Sequence, residues 1–342
     1  YPTERLRRRY GNTLAPKIEE EIREAPEIVG EPTDPCRFNT TELAEREASY
    51  GRSGFAQQFM LDPSLEDENK YPLRVRDLVV MDVNPDKAPE NLIWAGSDDY
   101  RLPELPNVSF AGDHYHKPMV IDGDWLSYSG SVMAIDPSGR GKDETSFCVV
   151  KVLNGFMYVH ECTGIAGGYG KEVLEKLAHK AKLHQVNLIL VESNFGDGMF
   201  LELLKQHLRR IYPVTTEEVR HHIQKNKRIV DTLEPVMNQH KLVVSSSLIE
   251  ADYESTLTLP PEKQNQYRLF WQMTRCTREK GALVHDDRLD VLSMAVKYWA
   301  EAAGRSATEE MNTRRDELLE KELESIMNTR TFGEAHKPDT WM

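Results

Sequence analysis

An apolar strand has little reason to end on a carboxylate unless that group works at the strand's edge. The stretch SVMAIDPSGRGKDET, residues 131–145, reaches Asp136 and then breaks into a polar Pro-Ser-Gly-Arg-Gly loop. A second buried run, NLILVE, ends the same way on Glu192, and a helix-like stretch from His285 opens with Asp286, Asp287 and Asp290. Carboxylates are hard oxygen donors, and several of them converging within a few Å suit Mg²⁺, with Mn²⁺ as a substitute. Two such ions, roughly 4 Å apart, activate a water and stabilise the leaving oxygen in phosphodiester hydrolysis. Asp287 and Asp290, at i and i+3, share one helix face, and Asp286 lies one turn from Asp290. Acids in a first helical turn also have an ordinary cause, the helix dipole. The metal reading outweighs it because all three places fall where two strand ends and one helix would converge.

Other polar residues are ambiguous on sequence alone. Asp143 starts the strand after the loop and could reach a metal, or be an exposed turn residue. His285 could be a ligand or an acid/base group, or simply cap and pack. Asn194 could orient a water or form an Asx turn. PSGRGKDET looks like a phosphate-binding loop, but Gly141-Lys142 is followed by Asp143, and Asp136 stands where the first glycine should be. The pairs His221-His222 and His114-x-His116 lack partners at zinc-ligand spacing. Arg209, Arg210, Arg220, Lys225, Lys227 and Arg228 form a basic stretch. Its ordinary reading is a solvated face. Beside a metal nuclease, Arg209, Arg210, Lys225, Lys227 and Arg228 become candidate contacts to a DNA backbone, which would position a duplex without reading its sequence.

The net charge of −13 argues against a nucleic-acid partner only superficially. Residues 1–125 carry 15 Lys and Arg against 25 Asp and Glu, residues 126–303 carry 22 against 22, and residues 304–342 carry 6 against 9. The acidity lies in the flanks, and metal would neutralise part of what remains in the middle. No run of about 18 apolar residues occurs, so no membrane span is expected. The chain opens on Tyr1, which reads as a fragment of something longer. Four scattered cysteines without a CxxC fit a reducing compartment, with Cys148 and Cys162 as small hydrophobes inside strands.

Residues 1–125 are rich in Pro and charge and read as a linker region, with a capped helix expected from Thr40 or Thr41. From Leu126 the pattern becomes orderly α/β. Strands are expected at SVMAID, at 145–153 and at 155–162, the last two joined by an Asn154-Gly155 hairpin turn. An amphipathic helix follows over 168–185, with Val173, Leu174, Leu177, Ala178 and Ala181 as its apolar stripe. Then come the strand 187–192, a helix through LELLKQHL, a short strand at IYPV, and a long helix from Glu217 to His240, disturbed at Pro235. A strand at KLVVS and a closing helix over 285–303 complete the body. The order βββαβα implies a mixed sheet with helices on both faces, the element order of the ribonuclease H-like fold. In that sheet the strands ending at Asp136 and Glu192 are neighbours. The tail 304–342 reads as a charged helix with a thin apolar stripe, either solvated or docked to a partner.

Four motifs in this order, AIDPSGRGKDET, LILVESNFGDG, Lys225-Asn226-Lys227-Arg228-Ile229 with Leu233-Glu234-Pro235, and VHDDRLDVLSMAVKYW, resemble the nuclease domain of large terminase subunits. These are the DNA-packaging motors of tailed bacteriophages, and the likeness is to the short-tailed coliphage (DNA maturase B) type. It covers 126–303 well, and SGFAQQFMLDP (53–63) looks like the segment that joins the terminase ATPase to its nuclease. The resemblance implies Asp136, Glu192 and Asp287 as the essential metal-binding acids, with Asp290 a fourth. It further implies double-stranded DNA as substrate, a portal protein and a small terminase subunit as partners, and an ATPase half on the same polypeptide. The place of action would be the host cytoplasm, at the procapsid portal. Residues 1–125 would then be the end of the ATPase half and the linker. Two rivals remain: a junction-resolving enzyme of the same fold, which would prefer four-way junctions, and a non-catalytic docking module, which would bind no Mn²⁺.

Overall fold

The computed structural model describes residues 15–39, 41–43, 45–46, 55, 58–59, 70–138, 144–193, 198–220 and 223–304. Thr40, Asp143, Asn194, His221, His222, most of 53–63 and the tail from 305 lie outside the described residues. Contacts divide the chain into two compact units, Tyr1–Pro72 and Leu73–Met342. In the first, helix α1 (Pro16–Glu24) starts on a proline, and the short helical stretch at 41–43 is capped by Asn39. Glu42 N donates to Asn39 Oδ1 at 2.9 Å and Asn39 N donates back to Glu42 Oε2 at 3.1 Å, a reciprocal capping box one residue ahead of the expected threonines.

The second unit begins well before Leu126. Its strands are β1 (Val79–Val80), β2 (Lys87–Ile93), β3 (Val120–Ser127), β4 (Gly130–Asp136), β5 (Thr145–Leu153), β6 (Phe156–Ile165), β7 (Leu188–Glu192), β8 (Thr215–Val219) and β9 (Leu242–Val244). Seven of them form one sheet in the order β1-β9-β6-β5-β4-β7-β8, while β2 and β3 make a separate antiparallel ribbon. Part of the stretch expected to be linker therefore builds this unit: β1 pairs in parallel with β9, and Leu73, Val75, Leu78, Leu105 and Tyr115 are buried in its core.

β4, β5 and β6 run antiparallel, and β7, β8 and β9 are added in parallel by helical crossovers. The β5–β6 turn places Asn154 at φ 50 and Gly155 at φ 78, the two positive values that a type I′ hairpin requires. Along β4, Val132 and Ala134 enter one core layer while Met133 and Ile135 enter the other. Burial on both faces is why this strand reads as a continuous apolar run. Helices α2 (Lys171–Leu183) and α3 (Met199–Ile211) cover the Met133 side, and all five stripe residues expected of α2 are buried there. The Val132 side is covered by α4 (Lys225–Asn238), α5 (Ser246–Ser255), α6 (Leu269–Arg275) and α7 (residues 287–304).

Two expectations shift. The strand expected at IYPV falls instead on Thr215–Val219, whose β-branched Thr215, Thr216 and Val219 suit the ladder with β7. The long helix expected from Glu217 starts only at Lys225 and runs through Pro235 to Asn238. The sheet is thus the mixed, helix-flanked sheet expected of a ribonuclease H-like body. No described helix is long and apolar enough to cross a membrane.

Candidate metal centre

Parallel pairing sets Ile135 beside Val191, so the next residues, Asp136 and Glu192, stand side by side at adjacent strand ends. Helix α7 crosses this edge and contributes Asp290. One carboxylate oxygen from each of Asp136, Glu192 and Asp290 lies within 4.8 Å of the others, and all three residues are buried. Asp286 and Asp287 flank them at the start of α7, with Asp287 Oδ2 4.0 Å from His285 Nδ1, whose ring stacks on Tyr267. The convergent third acid is therefore Asp290. Asp287, the residue expected in that place, sits one turn nearer the helix start and is only partly buried.

Two cations expected on a DNA-facing stripe turn inward instead. Lys225 Nζ lies 2.8 Å from Asp286 Oδ1, 3.1 Å from Asp290 Oδ2 and 3.9 Å from Asp136 Oδ2. Arg228 is 5% exposed, and its Nη2 donates to Asp290 Oδ1 at 2.7 Å and stands 3.8 Å from Glu192 Oε1. The reason is electrostatic: a guanidinium on the inner face of α4 is tolerable only against buried carboxylates, and here they are at hand. Of the remaining basic candidates, Arg209, Arg210 and Lys227 are exposed, with Arg210 also paired to Glu175 at 2.9 Å.

Five acids thus share the site with two cations, and the strain appears in their protonation. Burial pushes the Asp136 carboxyl well above the usual range, and Glu192, Asp290 and Asp287 add to this while Lys225 opposes it. Burial likewise raises Asp287 to about 6, against the pull of Lys225 and His285. Burial works to lower Lys225, but Asp290, Asp286 and Asp136 overcome it and hold the ammonium charged. Hydrogen bonding is also incomplete. Among the described residues, Asp290 Oδ2 is buried without an aligned donor despite the nearby Lys225, and Arg228 Nε and Nη1 find no acceptor. An all-oxygen set of crowded, under-compensated carboxylates fits a hard divalent cation.

Sequence reasoning missed the inward roles of Lys225 and Arg228 and a second buried network behind α7. Arg288 there joins Glu144 to Asp252. A clue existed for Arg228, which adjoins Ile229, Val230 and Leu233 on a helix whose apolar side must be buried.

Several known proteins are similar to this chain. Residues 135–242 match the family described as Terminase Bacteriophage T7, Ribonuclease H-like domain. The large terminase subunit of Enterobacteria phage T3 is 43% identical over 290 residues, which is 84% of this chain and 50% of that protein. The chain thus spans about half the length of that relative. Solved structures resemble it more distantly. The human cytomegalovirus terminase nuclease domain, Mn soaked and inhibitor bound, gives a TM-score of 0.37 at 13% identity over 49% of this chain and 82% of that one. The nuclease domain of the large terminase subunit of bacterial virus Sf6 gives 0.35 at 13% over 50% and 90%.

Proposed function

We propose that the α/β body of this chain, which matches a terminase ribonuclease H-like family over residues 135–242, is the metal-dependent endonuclease of a viral DNA-packaging motor. It would cut concatemeric double-stranded DNA into genome lengths. The observation that carries this reading is the convergence of Asp136, Glu192 and Asp290 from two strand ends and a helix. Asp136, Glu192 and Asp290 would hold a divalent cation, with Asp286 and Asp287 available for a second. When bound, Mg²⁺ or Mn²⁺ supplies water activation and charge stabilisation at the leaving 3′ oxygen of a phosphodiester.

The chain's own residues do the rest. Burial keeps the site poor in water, which strengthens every charge interaction inside it. Lys225 and Arg228 hold the carboxylates together against their mutual repulsion. Exposed Arg209, Arg210 and Lys227 are candidates for the DNA backbone. The portal protein and small subunit would be partners of the assembled motor, acting at the procapsid portal in the host cytoplasm. The ATPase half would lie on the same polypeptide outside these residues, with the stretch up to Pro72 as its end and linker.

The test is relaxation of supercoiled plasmid in Mg²⁺ or Mn²⁺. The intact chain nicks and chelator stops it, while Asp136→Asn loses about 10³-fold, the scale of several kcal/mol of charge stabilisation. Equal cleavage by Asp136→Asn would sink the assignment.

A further inference from the structure

Arg288 stands on α7 between Asp287 and Leu289, yet its side chain makes its bonds away from the carboxylate cluster. It is 2% exposed. Nε and Nη2 donate to the two oxygens of Glu144 at 2.8 and 3.2 Å, and Nη1 donates to Asp252 Oδ1 at 2.9 Å and Ser255 Oγ at 2.8 Å. Asp252 is anchored in turn by the backbone N–H groups of Leu269 and Phe270. The backbone of the same turn is gripped as well: Cys162 Sγ donates to Arg288 O at 3.3 Å, and Leu289 N donates to Gln272 Oε1 at 3.1 Å.

An independent feature shows that room is kept for this bridge. A Cβ at Gly164 of β6 would stand 1.8 Å from Glu144 Cδ, so the Glu144 carboxylate lies where any side chain on residue 164 would be. Glu144 itself leads directly into β5, next to the loop that follows Asp136.

We propose that Arg288 is a positioning residue for the carboxylate cluster. Its planar fork, fixed by Glu144 just ahead of β5 and Asp252 on α5, sets the rotation and depth of α7 and so the place of Asp290 beside Asp136 and Glu192. This rests on the metal-centre reading above. Metal ligands must be held to about 0.5 Å, and partners that orient them typically cost 10–100-fold in metal affinity when altered. Only a guanidinium makes the two-pronged contact with Glu144 while reaching Asp252. An ammonium supplies the charge without the fork.

The experiment is calorimetric Mn²⁺ titration of the intact chain, with hydrogen exchange on the metal-free protein. Glu144→Gln, Gly164→Ala and Arg288→Lys are each expected to bind Mn²⁺ about 10–100-fold more weakly. Each should also exchange the Leu289 and Asp290 amides faster than wild type. Arg288→Lys carries the discrimination, because a role in charge balance alone would leave it binding like the parent. Gly164→Ala keeps every charge and removes only the space. Wild-type affinity and wild-type exchange in all three variants overturn the proposal while sparing the metal centre. A parent chain that binds no Mn²⁺ overturns both. Failure of all three to fold also overturns it, since the bridge would then hold up the fold itself rather than set the place of one helix.

Discussion

Two buried clusters of acids and cations lie on either side of α7, and they are solved in opposite ways. Behind the helix, Asp252 receives two backbone N–H groups and the Arg288 guanidinium, and Glu144 takes the rest of the fork. In front of it, Asp136, Glu192, Asp286, Asp287 and Asp290 crowd around Lys225 and Arg228, with Asp290 Oδ2 lacking an aligned donor among the described residues. Burial raises the carboxyl of both Asp252 and Asp136, but at Asp252 the opposing influences are all stabilising partners, whereas at Asp136 Glu192, Asp290 and Asp287 push further up. The first cluster holds structure together. The second is costly without an added cation, which is what a metal centre requires of its ligands.

The contrast breaks most visibly with a pair of isosteric substitutions. Asp136→Asn should end metal-dependent nicking yet leave the metal-free melting temperature unchanged or higher, because it removes a repelled carboxylate. Asp252→Asn should cost about 3 kcal/mol in a denaturant titration, because it strips a partner from buried Arg288. Similar stability losses in both variants would erase the distinction.

A smaller effect is expected at Lys225. Replacing it with Met should destabilise the metal-free protein by only about 1 kcal/mol, since its side chain is 34% exposed and solvent screens the pairs. The same variant should bind Mn²⁺ more tightly, because a resident positive charge no longer competes. Weaker Mn²⁺ binding would mean that Lys225 supports the metal rather than standing in for its charge.

The smallest effect is on pH dependence. Asp287 is raised from 3.8 to about 6. Below about pH 4 it is protonated whether folded or unfolded. Between about 4 and 6 the unfolded chain releases the proton first, so metal-free stability should fall as pH rises through that window. Metal needs the ionised form, so the Mn²⁺-induced rise in melting temperature should grow across the same window, and Asp136 should extend it upward. A Mn²⁺ effect independent of pH from 4 to 7 would contradict the crowding.

Much of this was legible in sequence where burial dictates pattern. β4 and β7 read clearly because both faces of each are buried, and α2 because its stripe has helical spacing. Asp136 and Glu192 stood out as acids ending apolar strands. The choice between Asp287 and Asp290 was not legible: i and i+3 share a face, and only the depth at which α7 docks makes Asp290 the buried one. Lys225 and Arg228 read as surface charge because the carboxylates that receive them come from about 60 residues further on and from the strand ends. Helices α5 and α6 and the ribbon β2–β3 escaped notice because polar residues break their periodicity, and Pro89 sits inside β2.

The central claim, that the carboxylates at the ends of β4 and β7 and on α7 form a divalent-metal centre, is tested most directly by anomalous scattering from Mn²⁺-soaked crystals. Peaks are predicted among the oxygens of Asp136, Glu192 and Asp290, with Lys225 Nζ displaced from them. Mn²⁺ bound elsewhere while Lys225 keeps its three carboxylate partners would contradict it.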